Sequence, residues 1–246
     1  MTAFLASIAS VDEIEAALAG GADILDLKDP AKGALGAWEP PWIVEAVAVV
    51  RGRRPISATV GDLPMEPAPL AAAVRAVSQA GADIVKIGMF EGPRRDCIAA
   101  LAPVAAAGTR LAAVLFADRD PDFALLPVLK SAAFAAVMLD TADKSGGTLR
   151  DHMNDRTIGL FVTAARALGL RVGLAGSLAI GDIAPLMRAA PDFLGFRRAL
   201  CGTGGRTGAL DAPAMAALRA ALDQQIRQSA AARNAKAVAG AHTAAK

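Results

Sequence analysis

Tyrosine is absent from this chain, tryptophan occurs only twice, and aromatic residues make up just 4% of the total. The formal charge of +2 is spread along the sequence without a basic block, so the basic, aromatic-studded surface of a nucleic-acid-binding protein is missing. The two histidines, His152 and His242, are too few for a three-histidine zinc site, and Cys97 and Cys201 have no paired spacing. Both scarcities argue against metal-dependent aldol chemistry and against a disulfide framework, and no metal is expected. A reduced compartment is the simpler reading. No uncharged stretch reaches the roughly 18 apolar residues of a membrane span. The residues from Met1 to Ile8 carry no positive leader and run into Asp12, Glu13 and Glu15, so a cytoplasmic protein is expected.

Lysine is scarce as well: of 26 basic residues only Lys28, Lys32, Lys86, Lys130, Lys144, Lys236 and Lys246 are lysines. Lys28 ends the apolar run from Ile24, Lys86 sits in Ile84-Val85-Lys86-Ile87-Gly88, and Lys144 follows Val137-Met138-Leu139-Asp140. Arginine stays protonated and cannot form an imine, whereas a desolvated or crowded lysine can lose its proton. The placement of lysine in an arginine-rich chain therefore points to amine chemistry. Lys32 and Lys130 read as surface charge.

With 246 residues and 54% hydrophobic content, the chain can bury one large core. Short β-type runs recur at Phe4 to Ile8, Ile24 to Leu27, Ile56 to Thr59, Ile84 to Ile87, Leu111 to Phe116, Ala136 to Asp140, Arg171 to Ala175 and Phe193 to Phe196. Amphipathic stretches of helical period separate them. The repeat predicts a single-domain (β/α)8 TIM barrel over residues 1–223, with residues 224–246 a frayed or disordered C-terminal extension. A doubly wound open sheet is disfavoured because Ala6-Ser7-Ile8-Ala9-Ser10 is not a phosphate-binding glycine loop. The Gly-Ala-Asp echoes at 21–23 and 81–83 read as helix caps leading into strands.

Residues two apart on a strand share a face, so Asp26 and Lys28 both look toward the barrel mouth, with Asp26 one layer beneath and able to accept a hydrogen bond from Lys28. Lys86, Asp140 and Lys144 converge on the same end, where catalytic groups of such barrels sit. Clustering of this kind shifts pKa values. Ser57, Thr59 and Asp62 leave the third strand near the mouth as candidate substrate contacts, and Asp118, Asp120 and Asp122 read as a turn around Pro121. Beyond strands seven and eight, Gly176, Ser177 and Arg197 suit a phosphate. Arg197 is preferred over Arg198 because it shares the face of Gly195.

Taken together, Asp26-Leu27-Lys28-Asp29-Pro30, Ser57-Ala58-Thr59-Val60-Gly61-Asp62, Val85-Lys86-Ile87-Gly88, Leu139-Asp140-Thr141-Ala142-Asp143-Lys144 and Leu174-Ala175-Gly176-Ser177-Leu178 resemble the (5-formylfuran-3-yl)methyl phosphate synthase family of methanofuran biosynthesis. The likeness runs in order from the N-terminus to about Gly202. It implies that two glyceraldehyde 3-phosphates are condensed, with loss of phosphate and water, into a furan bearing an aldehyde and a phosphomethyl group. It further implies that Lys28 is the Schiff-base lysine and Lys86 the proton-transfer residue, with Asp26, Asp140 and Lys144 completing the set. Arg197 falls in register with the family's strand-eight arginine, while the tandem Arg198 and the polar tail depart from the pattern. The family is known in methanogens and in methylotrophic bacteria, and the Ala- and Arg-rich composition suits a bacterium of high GC content.

An imine on Lys28 would acidify the neighbouring C–H, Lys86 or a carboxylate would remove that proton, and the enamine would attack the second aldehyde. No redox change occurs, so no nicotinamide, flavin or other cofactor is required. The expected partner is a phosphorylated triose, without nucleic acid or membrane, and self-association is left open. Two other readings stand beside this one: a different Schiff-base aldolase acting on a phosphorylated aldehyde or ketone, and a non-enzymatic barrel that binds a sugar phosphate.

Overall fold

Each of the eight apolar runs becomes a parallel strand: β1 (Ala3–Ile8), β2 (Ile24–Leu27), β3 (Ile56–Thr59), β4 (Ile84–Gly88), β5 (Arg110–Phe116), β6 (Ala136–Asp140), β7 (Arg171–Leu174) and β8 (Phe193–Phe196). In the computed structural model, which describes residues 1–243, they pair in sequence order, and β8 pairs back onto β1 through Leu5 and Gly195 to close a barrel. The (β/α)8 architecture is thus as the sequence predicts, with strand ends within a residue of the expected ones. Around it lie α1 (Ile14–Ala19), α2 (Pro40–Val50), α3 (Pro67–Gln79), α4 (Arg94–Ala106), α5 (Leu125–Ser131), α6 (Leu149–His152), α7 (Asp155–Ala167), α8 (Ile183–Met187) and α9 (Ala212–Thr243). Proline opens α2 and α3, where its missing N–H costs nothing. The Asn154 side chain caps α7 by accepting from Thr157 N at 2.9 Å.

Alternation along the strands sorts the core into two apolar layers. Outward residues such as Phe4, Leu25, Val85, Val137 and Val172 pack against the helices, while Leu5, Ile24, Val114, Phe116, Met138 and Phe193 fill the barrel. Below Lys86 the interior layer uses small side chains. Ala112 and Ala136 leave a cavity against Ile24, Ile84, Met138 and Phe193, bounded at the N-terminal rim by Arg110 and Arg171. Strand β7 can run close to Phe193 only because Gly173 carries no Cβ, which would lie 2.0 Å from the Phe193 ring.

The Gly-Ala-Asp echoes do more than lead into strands. Asp23, one residue before β2, accepts from Phe4 N at 2.9 Å, and Asp83, one residue before β4, accepts from Ile56 N at 2.8 Å. Asp192 repeats this before β8 by accepting from Val172 N at 2.8 Å. Each carboxylate satisfies an amide at the start of the preceding strand and so fixes the register of a strand pair from the bottom of the barrel.

Helix α9 runs through residue 224, where the expected C-terminal extension begins. Met215, Leu218 and Leu222 are its fully buried contacts with the barrel, and residues 244–246 of the expected extension lie outside the described residues. Among the described residues, no helix is long and apolar enough to cross a membrane.

Asp192→Ala should lower stability by about 1–2 kcal/mol, because a charge-assisted bond to a strand amide is lost at a partly buried site. Urea unfolding would measure that loss. An unaltered unfolding midpoint would mean that the aspartate does not hold the register.

Candidate active site

At the C-terminal ends of the strands a cavity is lined by Asp26, Lys28, Lys86, Asp140, Lys144 and Ser177, with Arg198 and Arg206 at its edge. Asp26 comes from β2, with Lys28 immediately past its end, Lys86 from β4 and Asp140 from β6. A closed eight-stranded sheet builds each interior layer from alternate strands, which is why these even-numbered ones meet. The five residues that the sequence reading groups together are therefore brought together.

Their pairing differs from the expected one. Asp26, fully buried, accepts from Lys86 Nζ at 2.9 Å, Ser57 Oγ at 2.6 Å and Ser7 Oγ at 2.9 Å. It does not hydrogen-bond to Lys28 two residues further on, because the inter-strand neighbour in the same layer is closer than the next layer up. Burial pushes the Asp26 pKa up, but the Lys86 and Lys28 charges and the Ser57 hydrogen bond outweigh it and leave the carboxyl below its ordinary value.

Asp140 is the second buried anion. Its Oδ1 accepts from Lys144 Nζ at 2.5 Å and from Thr141 N at 2.8 Å, whereas Oδ2 has no hydrogen-bond partner. Lys28 Nζ lies 3.8 Å from that oxygen. Burial acts to raise the Asp140 pKa, yet the charges of Lys144 and Lys28, together with the Lys144 hydrogen bond, bring it down to about 2.

Lys28 is therefore the odd amine out. Lys86 and Lys144 each donate to a buried carboxylate, while among the described residues Lys28 has only the long contact with Asp140. Burial lowers its pKa from 10.5 to about 8; Asp140 and Asp26 pull it up, and Lys144 and Lys86 push it down. At pH 7 about a tenth of such an amine is neutral, roughly 300 times the fraction expected at 10.5.

Two carboxylates to which the sequence reading gave other roles hold the loops beside these lysines. Asp62 accepts from Ala34 N and Leu35 N, both at 2.7 Å, and so fixes the loop after Lys28. A Cβ on Gly33, whose φ is +109°, would lie 2.2 Å from Asp62 Oδ2, so the clamp requires glycine there. Asp118 does the same for the loop bearing Lys144, accepting from Ala142 N at 2.8 Å and Asp143 N at 2.7 Å. Ser57 and Thr59, candidate substrate contacts by sequence, are likewise used internally, on Asp26 and on Gly36 O at 3.0 Å.

Gly176 and Ser177 line the cavity in left-handed backbone conformations, φ +106° and +49°. Among the described residues neither amide donates within the protein, which leaves both free for an anion. Arg197 is a different matter. Its Nε donates to Arg206 O at 2.9 Å, Nη1 to Ser7 O at 3.2 Å and Glu13 Oε2 at 2.5 Å, and Nη2 to Glu13 Oε1 at 3.1 Å and Gly208 O at 2.6 Å. With all five N–H groups engaged, the expected phosphate ligand has none to offer. Strand β8 ends at Phe196, and Arg197 departs from strand geometry at φ −136°, ψ −61°. Its side chain consequently turns toward Glu13 across the barrel seam. Arg198, set aside by the alternation argument, and Arg206, which sequence reasoning missed, are the arginines that reach the cavity with donors to spare. The glycines at 202, 204 and 205 just before Arg206 were the available signal. Among the described residues no group of three or more His, Cys, Asp or Glu side chains is placed to hold a metal ion.

A model of the family described as 4-HFC-P synthase matches residues 4–219, which span this whole constellation. The chain belongs to that family. It is 35% identical over 210 residues to the (5-formylfuran-3-yl)methyl phosphate synthase of Methanosarcina mazei, covering 79% of this chain and 89% of the relative. Its identity to the synthase of Methanopyrus kandleri is 36% over 216 residues, with 82% and 90% covered. A Methylorubrum extorquens protein to which that name is attached provisionally is 42% identical over 220 residues, with 88% and 91% covered. Among solved structures, phosphoribosyl anthranilate isomerase of Thermus thermophilus superposes with a TM-score of 0.65 at 17% identity, covering 91% of this chain and 99% of that one. A 3-hexulose-6-phosphate synthase gives a TM-score of 0.65 at 16% identity, with 90% and 100% covered. These two likenesses concern the barrel fold.

The pKa pattern makes a signed prediction. Borohydride trapping of a carbonyl on Lys28 should rise with pH through a midpoint near 8. Lys144→Met removes a neighbouring cation and should move that midpoint up, while Asp140→Asn removes the stabilising anion and should move it down. Mass spectrometry of the trapped peptide across pH 6–10 reads both shifts; movement of both variants in one direction would contradict the charge assignment.

Proposed function

We propose that the protein condenses two glyceraldehyde 3-phosphates into (5-formylfuran-3-yl)methyl phosphate through an imine on Lys28. The observation carrying this reading is that Lys28 is buried at the mouth without a short carboxylate partner; that burial lowers its pKa to about 8 and so favours a nucleophilic amine there. Membership in a family whose curated relatives bear that synthase name supports the same reaction.

The side chains divide the work. Lys28 attacks the aldehyde carbon of the first triose, and the carbinolamine loses water to give the imine. Asp140 Oδ2, unpartnered and 3.8 Å from Lys28 Nζ, is the free acceptor that takes the acidified C–H proton next to the imine carbon. Lys144 keeps Asp140 ionised and in place. Lys86, held by Asp26, stands across the site to donate a proton to the second aldehyde's oxygen as the enamine attacks and the carbon–carbon bond forms. Two C3H7O6P units then lose one phosphoric acid and two waters to give C6H7O6P. Each loss is an acid–base elimination without change of overall redox state, and these amines and carboxylates suffice for it. Gly176 and Ser177, with Arg198 beside them, hold the phosphate of the first triose.

Incubation with glyceraldehyde 3-phosphate should yield a furan absorbing in the ultraviolet, and borohydride added during turnover should label the peptide containing Lys28. Lys28→Arg should abolish both signals. An open-chain, reversible adduct in place of the furan would identify a simple aldolase, and labelling of Lys86 or Lys144 with Lys28→Arg still active would reassign the nucleophile.

A further inference from the structure

Condensing two phosphorylated trioses requires two phosphate seats, and the distribution of cations around the mouth supplies a second one. Lys86 is matched by Asp26, Lys144 by Asp140 and Arg197 by Glu13. Lys28, Arg198 and Arg206 remain without a close carboxylate partner among the described residues, on a cavity that all three line. A single phosphomonoester, carrying a charge of about −1.5 to −2 near neutral pH, would leave part of this excess unanswered.

The two spare guanidinium groups occupy different walls. Arg198 Nη2 donates to Lys144 O at 2.6 Å, which sets it over the β6 and β7 side, beside Ser177. Arg206 instead reaches across to the loop after β2, where its Nη2 donates to Gly33 O at 2.9 Å. The backbone carrying Arg206 is fixed from beneath, because Arg197 Nε donates to Arg206 O at 2.9 Å and Arg197 Nη2 to Gly208 O at 2.6 Å. Arg197 thus serves the anion site by anchoring the loop that presents another arginine. With one N–H committed to Gly33, Arg206 keeps the rest of its planar fork for an anion, and a fork of this kind grips phosphate through paired hydrogen bonds. Its partial burial disfavours the charged form, and that cost is offset once an anion docks.

We propose that Arg206 binds the phosphate of the second triose, the one that does not form the imine, and thereby holds its aldehyde over Lys28 from the β2 side. This rests on the condensation reading given above. In the wild-type protein that reading is tested separately: Lys28 trapping without any furan would end it before Arg206 is considered.

Arg206→Ala and Arg206→Lys would be compared with wild type in the full chain by two titrations with glyceraldehyde 3-phosphate. One follows borohydride trapping on Lys28, the other the furan's ultraviolet absorbance. Loss of a charge-assisted phosphate contact should raise the substrate concentration giving half-maximal furan formation by about ten- to a hundredfold. Half-maximal trapping should stay within about twofold of wild type. Arg206→Lys, which keeps the charge and loses the fork, should fall between wild type and Arg206→Ala in the furan titration and match wild type in trapping. A trapping shift as large as the furan shift would place Arg206 on the first triose. An unchanged furan titration in Arg206→Lys and Arg206→Ala would remove it from substrate binding, and either result overturns the proposal. Should Arg206→Ala fail to fold, the lysine variant alone decides by the same two readings.

Discussion

Two fully buried carboxylates, Asp26 and Asp140, govern the mouth of this barrel. A buried ion without compensation costs several kcal/mol, so each must be met by cations and hydrogen-bond donors. Asp26 is satisfied completely by one lysine and two serine hydroxyls. Asp140 is satisfied on one oxygen only. The third lysine, Lys28, is buried beside them, and that burial lowers its proton affinity, with Asp140 opposing the shift and the Lys144 and Lys86 charges adding to it. The mouth thus holds three lysines on two buried anions, and Lys28 is the one whose carboxylate contact is long.

Much of the barrel was legible because its signals are local. Strand runs, helical periods and glycine-bearing turns each occupy a few neighbouring residues, so all eight strands could be bounded from the chain alone. The set of mouth residues was legible for a related reason, since a lysine closing an apolar run in an arginine-rich protein stands out without any knowledge of the fold. Partner choice was not legible. Whether Asp26 meets Lys28, two residues away, or Lys86, sixty residues away, depends on the stagger between strands, and no spacing within one strand reveals it. Arg197 failed for a different reason. The alternation argument assumes an extended backbone, and the strand stops one residue before it.

Aspartates do distinct jobs at the two ends of the barrel. Below, Asp23, Asp83 and Asp192 receive amides at strand starts and set register. Above, Asp62 and Asp118 each receive two successive amides of a loop that carries a lysine of the site. The same chemistry, a carboxylate accepting backbone N–H groups, thus builds the scaffold at one end and steadies the lysine-bearing loops at the other. Only the reach of the loops tells the two apart, which is why the sequence reading took Asp62 for a substrate contact and Asp118 for part of a turn.

The lower interior has a mechanical consequence. Beneath Lys86 the barrel is lined by Ala112 and Ala136, where bulkier branched residues would usually interlock, and a cavity persists there. Internal voids vanish when a chain unfolds, so the unfolded state occupies less volume, and hydrostatic pressure favours it in proportion to the void eliminated. In this barrel the small-residue layer between Ala112 and Ala136, beneath Lys86, is therefore where compression would act first.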